Sequence, residues 1–458
     1  MAIIYMAFLL LAIAASLKLQ TPQAVAFVYL AGIMFLPVSP PAETVPSLEA
    51  AGDSPYWVMP FALPADIFFT KAVVASLAAL MVTVVGDRQS LLRYRGHWTD
   101  LPILGWCFWP LIQSIWTEAS PAGWMSSLYL ACVWAIPWIL ARIHFANRKG
   151  QLVFIDSFVG LTLLLLPIIL FETLSDLRVH ELVYGPHPFA DVGTERYFGN
   201  RPLAFFEDGN QYGMWIACAA LLAFWRAKWA AVTGARGPRI AVAGLLFAIT
   251  VASQSAGALI LLFAGLALLF FAPALRILRK AILPILLLFS AVMAVYLSGA
   301  LPLRTIAKET VVGQMVWNAL KASGRGSLSW RIGQDQKTLP AIQENLVAGS
   351  GQWDWWRELE KRPWGLVLLL IGQFGLIGFG LIAAAFLKAI WTAFSTPVAR
   401  KSGANSLAGN PVTILAILLV MILVDALLNA FLILPAIMAT AAISVMPHKN
   451  PSQGRAKD

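Results

Sequence analysis

The sequence predicts an all-α protein: a polytopic transmembrane helical bundle of about 12–13 spans, with a long, partly helical external loop near its C-terminal end. Three observations carry that expectation. The 458 residues are 59% hydrophobic and only 12% charged, where a soluble domain carries roughly 25% charge. The apolar residues fall in runs near the ~20 residues that cross a bilayer as a helix. The cations gather in alternate connecting segments, the pattern that keeps those segments in the cytoplasm. A soluble enzyme and a single-anchor protein are both excluded.

Taken in order, the apolar runs cover residues 1–17, 23–40, 67–86, 101–117, 122–141, 152–173, 211–231, 240–256, 257–275, 281–300, 364–390 and 411–446. The first, within MAIIYMAFLLLAIAASLKLQ, has no basic stretch ahead of it, so it reads as a membrane helix rather than a cleaved signal peptide. Only Ser253, Gln254, Ser255 and Gly257 mark the break between the eighth and ninth runs. The last run is long enough for two short helices turning near Asp425 or Asn429. Cys107, Cys132 and Cys218 lie inside apolar runs without ligand spacing and read as small buried residues.

Charge orients the chain. Lys18, Arg88, Arg93, Arg95, Arg142, Arg148, Lys149, Arg226, Lys228, Arg236, Arg239, Arg276, Arg279, Lys280, Lys388, Arg400, Lys401, Lys449, Arg455 and Lys457 stand in one set of connections, beside only Asp87, Asp100 and Asp458. That leaves 13 of the 33 cations and 20 of the 23 anions for the other side and the membrane interior. In a soluble chain the net charge of +10 would suggest nucleic acid; here it is read as topology, and no nucleic-acid partner is expected. Residues 1–300 then form membrane helices with external loops at 41–66 and 174–209. Residues 301–363 form a large external loop, 364–446 the C-terminal membrane helices and 447–458 a cytoplasmic tail. Tryptophans and short helices suit the third loop to lying over the bundle.

Chemistry-bearing residues gather in the second and third external loops. The second holds His180 and His187, then Glu195, Arg196, Arg201, Glu207, Asp208, Asn210 and Gln211 just ahead of a membrane helix. Two arginines, adjacent carboxylates, amides and aromatics can bind an anionic headgroup and stack a sugar. The third holds Arg304, Lys308, Lys321, Arg325, Ser327, Ser329, Arg331 and Asp335, and then Trp353, Asp354, Trp355, Trp356, Arg357 and Arg362. Tryptophans beside charges suit a carbohydrate, whose C–H faces pack on indole while its hydroxyls take polar partners. Tryptophan also anchors helices at the membrane surface, and Arg357, Lys361 and Arg362 also suit lipid phosphates or pairing with Glu358 and Glu360. Asp156 and Asp425 fall at membrane depth, where a charge marks a functional candidate; Asp425 with Asn429 equally suits a packing contact, and Glu172 reads as interfacial.

RPLAFFEDGNQYG (201–213), SQSAGALILLFAGL (253–266), SLSWRIGQDQKTLPAIQENLVAGSG (327–351) and IGQFGLIGFG (371–380) follow one another in an order that resembles the O-antigen ligase and polysaccharide polymerase superfamily. The resemblance implies a bacterial inner-membrane glycosyltransferase working on the outer face. Its donor would be a glycan on undecaprenyl pyrophosphate, and its acceptor another lipid-linked unit (polymerase, favoured) or lipid A core (ligase). Membrane lipid and other polysaccharide assembly proteins are the remaining partners it implies. No cofactor is implied, and no metal cluster is seen in the sequence. Arg201 and Arg331 are the expected pyrophosphate ligands, with Arg196 and Arg325 as further candidates, since arginine's fork suits phosphate. Asn210, Trp353 and Trp356 complete the expected substrate-binding set. Relatives commonly carry a histidine where this chain has Trp364, so Glu207, Asp208, Asp335, Asp354 or His187 stands in as candidate base. Two other classes remain open: a lipid-linked glycan flippase or transporter, and a non-catalytic scaffold.

Overall fold

The structure is a computed structural model that describes residues 2–38, 70–119, 122–175, 177–185, 187, 195–196, 199–229, 236–299, 326–353, 355–356, 359, 362–395 and 409–445, with scattered positions between 309 and 318. The loop 41–66 and the tail 447–458 lie outside that set. Among the described residues the chain is all-helical, apart from one antiparallel pairing of β1 (Glu195–Arg196) with β2 (Gly199–Asn200).

Helices α1 (Ala2–Lys18), α2 (Thr21–Phe35), α3 (Lys71–Gly86) and α4 (Leu101–Gln113) lead to α5 (Gly123–His144) and α6 (Arg148–Leu174). The short α7 (Val179–Tyr184) precedes α8 (Gly209–Trp229), α9 (Arg236–Ala252), α10 (Ala256–Phe270) and α11 (Ala272–Leu297). Then come α12 (Gly326–Glu344), α13 (Leu366–Ser395), α14 (Pro411–Asp425) and α15 (Pro435–Ser444). Helices α5, α6 and α13 are each long and apolar enough to cross a membrane.

Local chemistry explains the boundaries. Asn147 caps α6 by accepting the Gly150 N–H at 2.9 Å, and Asn410 caps α14 with Pro411 at its first position. The middle of α5 widens into a π turn over Ala131–Ala135, where Pro137 supplies no N–H. The last apolar run divides as its length allows, α14 ending at Asp425. One boundary is corrected: Arg276, Arg279 and Lys280 were expected in a loop but lie inside α11, because ALRILRKA is made of strong helix formers following Pro273.

Packing follows small residues. α2 lies against α3 and α6, α4 against α5 and α13, α8 against α9 and α10, and α15 against α5 and α13. A Cβ on Gly32 would sit 2.6 Å from that of Ala75, so α2 and α3 meet at backbone distance. The three cysteines are free and buried.

α13 is broken at Gly375 (φ 69°, ψ −178°), and residues 346–351 of the third loop fold back into the break. Leu376 and Ile377 donate to the carbonyls of Leu346 and Val347 at 2.8 and 3.2 Å, while Ser350 and Gly351 donate to those of Gly372 and Gln373 at 2.9 and 3.1 Å. From α4, Gln113 donates to the Ala348 and Gln373 carbonyls at 2.6 and 2.8 Å, and Trp109 to that of Phe374 at 2.7 Å. Backbone groups freed by the break are thus paired inside the protein, as irregular chain among membrane helices requires. Gly349 (φ 81°) and Gly375 face one another, and a Cβ on either would strike the other's backbone.

Candidate functional site

The second loop is pinned to the helix ends by a residue read from sequence as merely interfacial. Glu172, buried at the end of α6, accepts the N–H groups of Leu203 and Ala204 on one oxygen at 2.8 and 2.7 Å, and that of Val179 on the other at 2.8 Å. Ala204 is held at φ 50° by these bonds, a conformation that alanine seldom adopts. Two further groups draw on the carbonyls that follow. Lys71, buried at the start of α3, donates to Phe205 at 3.1 Å, and His187 Nε2 donates to Phe206 at 3.0 Å. Lys71 also lies within electrostatic range of Glu207.

The two histidines of this loop are neutral. His180 Nε2 accepts the Val38 N–H at 3.2 Å, so its proton sits on Nδ1 and is donated to the Gly185 carbonyl at 3.3 Å. Burial pushes the pKa of His180 down to about 4 and that of His187, which also faces His180, down to about 3. At neutral pH, His187 is therefore a poorly matched proton acceptor.

Arg201 is buried, 3% exposed, at the mouth of α8. Its Nε donates to the Ser253 carbonyl at 3.0 Å, and an Nη donates to Asn210 Oδ1 at 3.0 Å. Its guanidinium lies on Gly209, where a Cβ would collide with it. Asp208 caps α8 by accepting the Gln211 N–H at 2.8 Å, and the Gln211 side chain accepts the Glu207 N–H at 3.0 Å. Gly213 lets Ser255 approach α8, and Ser255 reaches Asn210 at 3.4 Å. Gln254 between the two serines holds φ 54°. The predicted break between the eighth and ninth runs is thus the surface that receives Arg201.

Arg331 lies half-buried on α12. One Nη donates to the Leu428 carbonyl at 2.9 Å and to Asn429 Oδ1 at 2.7 Å, and its guanidinium carbon is 5.2 Å from the Trp364 ring centroid. Asn429 in turn donates to Asp425 Oδ1 at 2.7 Å. One turn along α12, Asp335 accepts the Trp364 N–H at 2.7 Å. Burial raises its pKa to about 6, against the opposing pull of the Trp364 and Gly365 N–H groups and Arg331.

These two constellations meet. Asp208 from the second loop and Arg331 from the third both act electrostatically on Asp425. Arg201, Glu207, Asp208, Asn210, Arg331 and Asp335 therefore belong to one end of the bundle, although 134 positions separate the first from the last. The remaining candidates are placed elsewhere or not described. Trp353 is buried, donating to Ser126 Oγ at 2.7 Å and meeting Tyr129 and Phe374 edge-on, and Trp356 is buried beside Arg362. Their indoles fill the interior. The backbone of Arg196 pairs with Gly199, but its side chain, Arg325 and Asp354 lie outside the described residues. Asp156 forms a bidentate pair with Arg226 at 2.6 and 2.7 Å, apart from this end. Among the described residues there is no group of three or more His, Cys, Asp or Glu side chains disposed to hold a metal.

Three residues of the site escaped the sequence reading. Lys71 is the first cation after residues 41–66, a stretch with four acids and no Lys or Arg, and that contrast could have marked it. Glu172 carried no such signal, since its partners are backbone amides. Trp364, noted only as a departure, is the partly exposed indole, with Arg331 and Arg362 over its ring at 5.2 and 5.4 Å. No protein-family model, curated protein or solved structure matches the chain.

Proposed function

We propose that the chain is a multi-pass protein of the bacterial inner membrane, and a glycosyltransferase that polymerises glycan units carried on undecaprenyl pyrophosphate at the periplasmic face. One observation carries the reading: two separate loops each supply an arginine held by an asparagine, Arg201 by Asn210 and Arg331 by Asn429, and Asp208 beside the first and Arg331 itself both act electrostatically on Asp425.

The chemistry asks for that combination. The acceptor hydroxyl attacks the anomeric carbon, the bond to pyrophosphate breaks, and undecaprenyl pyrophosphate departs with the electron pair. Guanidinium groups stabilise the developing charge on the leaving group. Asp335, ionised above about pH 6, accepts the hydroxyl proton. Transfer to lipid A core would use the same groups, so ligase is the sister reading. The break in α13 invites comparison with transporters, whose discontinuous helices expose backbone groups to substrate. In α13 those groups are bonded to residues 346–351, Gln113 and Trp109, which favours transfer over transport.

Deletion of the protein in its host, followed by analysis of lipid-linked and surface glycans, tests the reading. Single repeats accumulating in the outer leaflet with no long chains are expected. Full-length chains left on undecaprenyl pyrophosphate would make it a ligase, and repeats confined to the cytoplasmic leaflet a flippase. Unchanged glycans would refute all three.

A further inference from the structure

The turn between α14 and α15 belongs to no loop that the sequence marked as chemical, yet it holds the better exposed of the two arginines. Arg331 spends one Nη on that turn, through the Leu428 carbonyl and Asn429 Oδ1. The Asn429 amide is itself oriented, because its Nδ2 donates to Asp425 Oδ1 at 2.7 Å while its N–H donates to the Asp425 carbonyl at 2.9 Å. An amide whose nitrogen is committed to a carboxylate must turn its oxygen toward Arg331. The turn is fixed in its own right: Leu366 at the head of α13 donates to the Ala426 and Asn429 carbonyls at 2.9 and 3.2 Å, and Gly365 packs on the Leu427 carbonyl. The Trp364 ring lies against the same guanidinium.

We propose that Asn429 and Asp425 are positioning residues. They form a relay that sets the guanidinium plane of Arg331 for a pyrophosphate-bearing lipid, so that the C-terminal helix pair, and not the third loop alone, completes the anion subsite. The inference rests on the glycosyltransferase reading. A bidentate contact to phosphate depends on the direction of the fork, so a rotated guanidinium keeps its charge and loses its grip.

The test measures binding of undecaprenyl pyrophosphate in detergent micelles to the purified full-length protein, beside KM and kcat for lipid-linked glycan. Asn429→Ala and Asp425→Leu break the relay at different links, and each should weaken probe binding roughly tenfold, the cost of about one charge-assisted bond. Donor KM should rise in step while acceptor KM stays put, which a general loosening of the fold would not produce. Asp425→Asn keeps an oxygen for the Asn429 amide and should recover most of the binding, and it serves where Asp425→Leu fails to fold. Wild-type binding by both Asn429→Ala and Asp425→Leu overturns the relay, as does an Asp425→Asn protein no better than Asp425→Leu. If Arg331→Ala itself binds the probe normally, it is the assignment of Arg331 to the donor that falls, a distinct failure.

Discussion

The second and third long loops each bring an arginine to the same end of the bundle, and they hold it in opposite ways. Arg201 is buried between Gly209, Asn210 and the Ser253 carbonyl, in a segment whose amides are fastened to Glu172 and whose carbonyls are fastened to Lys71 and His187. Arg331 is half-buried on a loop helix and anchored at one nitrogen to a turn nearly a hundred residues away. Removing the first orphans buried partners; removing the second leaves a carbonyl and an amide oxygen that are exposed or only part-buried. The same mutation therefore reports on the fold in one loop and on chemistry in the other. Acid separates the loops as well, since the second is built on histidines that must stay neutral and the third on an aspartate reluctant to ionise.

The most damaging way to break this contrast is at Glu172. Glu172→Ala strands three backbone N–H groups, each worth about 1–3 kcal/mol when buried and unpaired. Thermal unfolding in detergent should show severe loss, with Glu172→Gln intermediate; an unchanged midpoint would mean that the second loop is not pinned there. Next come the arginines. Arg201→Ala should lower stability by about 2–3 kcal/mol and abolish polymer, whereas Arg331→Ala should abolish polymer at a cost of about 1 kcal/mol or less. Equal losses of stability would erase the difference between the loops.

A third, narrower comparison concerns Asp335. Asp335→Asn should suppress transfer while leaving the melting temperature equal or higher above pH 6, because it removes a carboxylate that burial disfavours in its ionised form. In the unmutated protein, transfer should fall as pH drops through about 6, as the base takes up its proton. A flat profile between pH 5 and 7 would exclude Asp335 as the acceptor. The smallest expected effect is on loop stability. His180 and His187 have folded pKa values below their ordinary 6.5, so their contribution is present above pH 6.5 and lost as pH falls toward 4 and 3. Asp335, raised above 3.8, adds stability as pH falls through about 6. Hydrogen exchange at pH 7 and pH 5 should find residues 199–206 less protected in acid and α12 no less protected.

Much of this architecture was legible because hydrophobic length and loop charge are local properties. Each apolar run contains a helix, and the SQS turn and the divided final run fall where the polar residues interrupt them. Arg201, Asp208, Asn210, Arg331 and Asp335 stood out because polar residues are conspicuous in such a chain. What the sequence could not convey was direction. Trp353 and Trp356 have the composition of a sugar platform, but Trp353, beside Ser126, Tyr129 and Phe374, and the equally buried Trp356 are drawn inward by the area they bury. Glu172 and Asn429 act on backbone amides or on side chains brought near only by folding, and no spacing along the chain announces such a partner.

The interlock of residues 346–351 with the break in α13 bears on how this protein can be recombined with others. Val347 and Gly349 are, through their hydrogen bonds and contacts, as much a part of α13 as Gly375 is. A chimera that exchanges the third loop at the helix boundaries would separate two halves of one structural piece. The smallest transplantable unit runs from α12 through the end of α13, and because Leu366 is bonded to the turn at Ala426 and Asn429, it must travel with α14 as well.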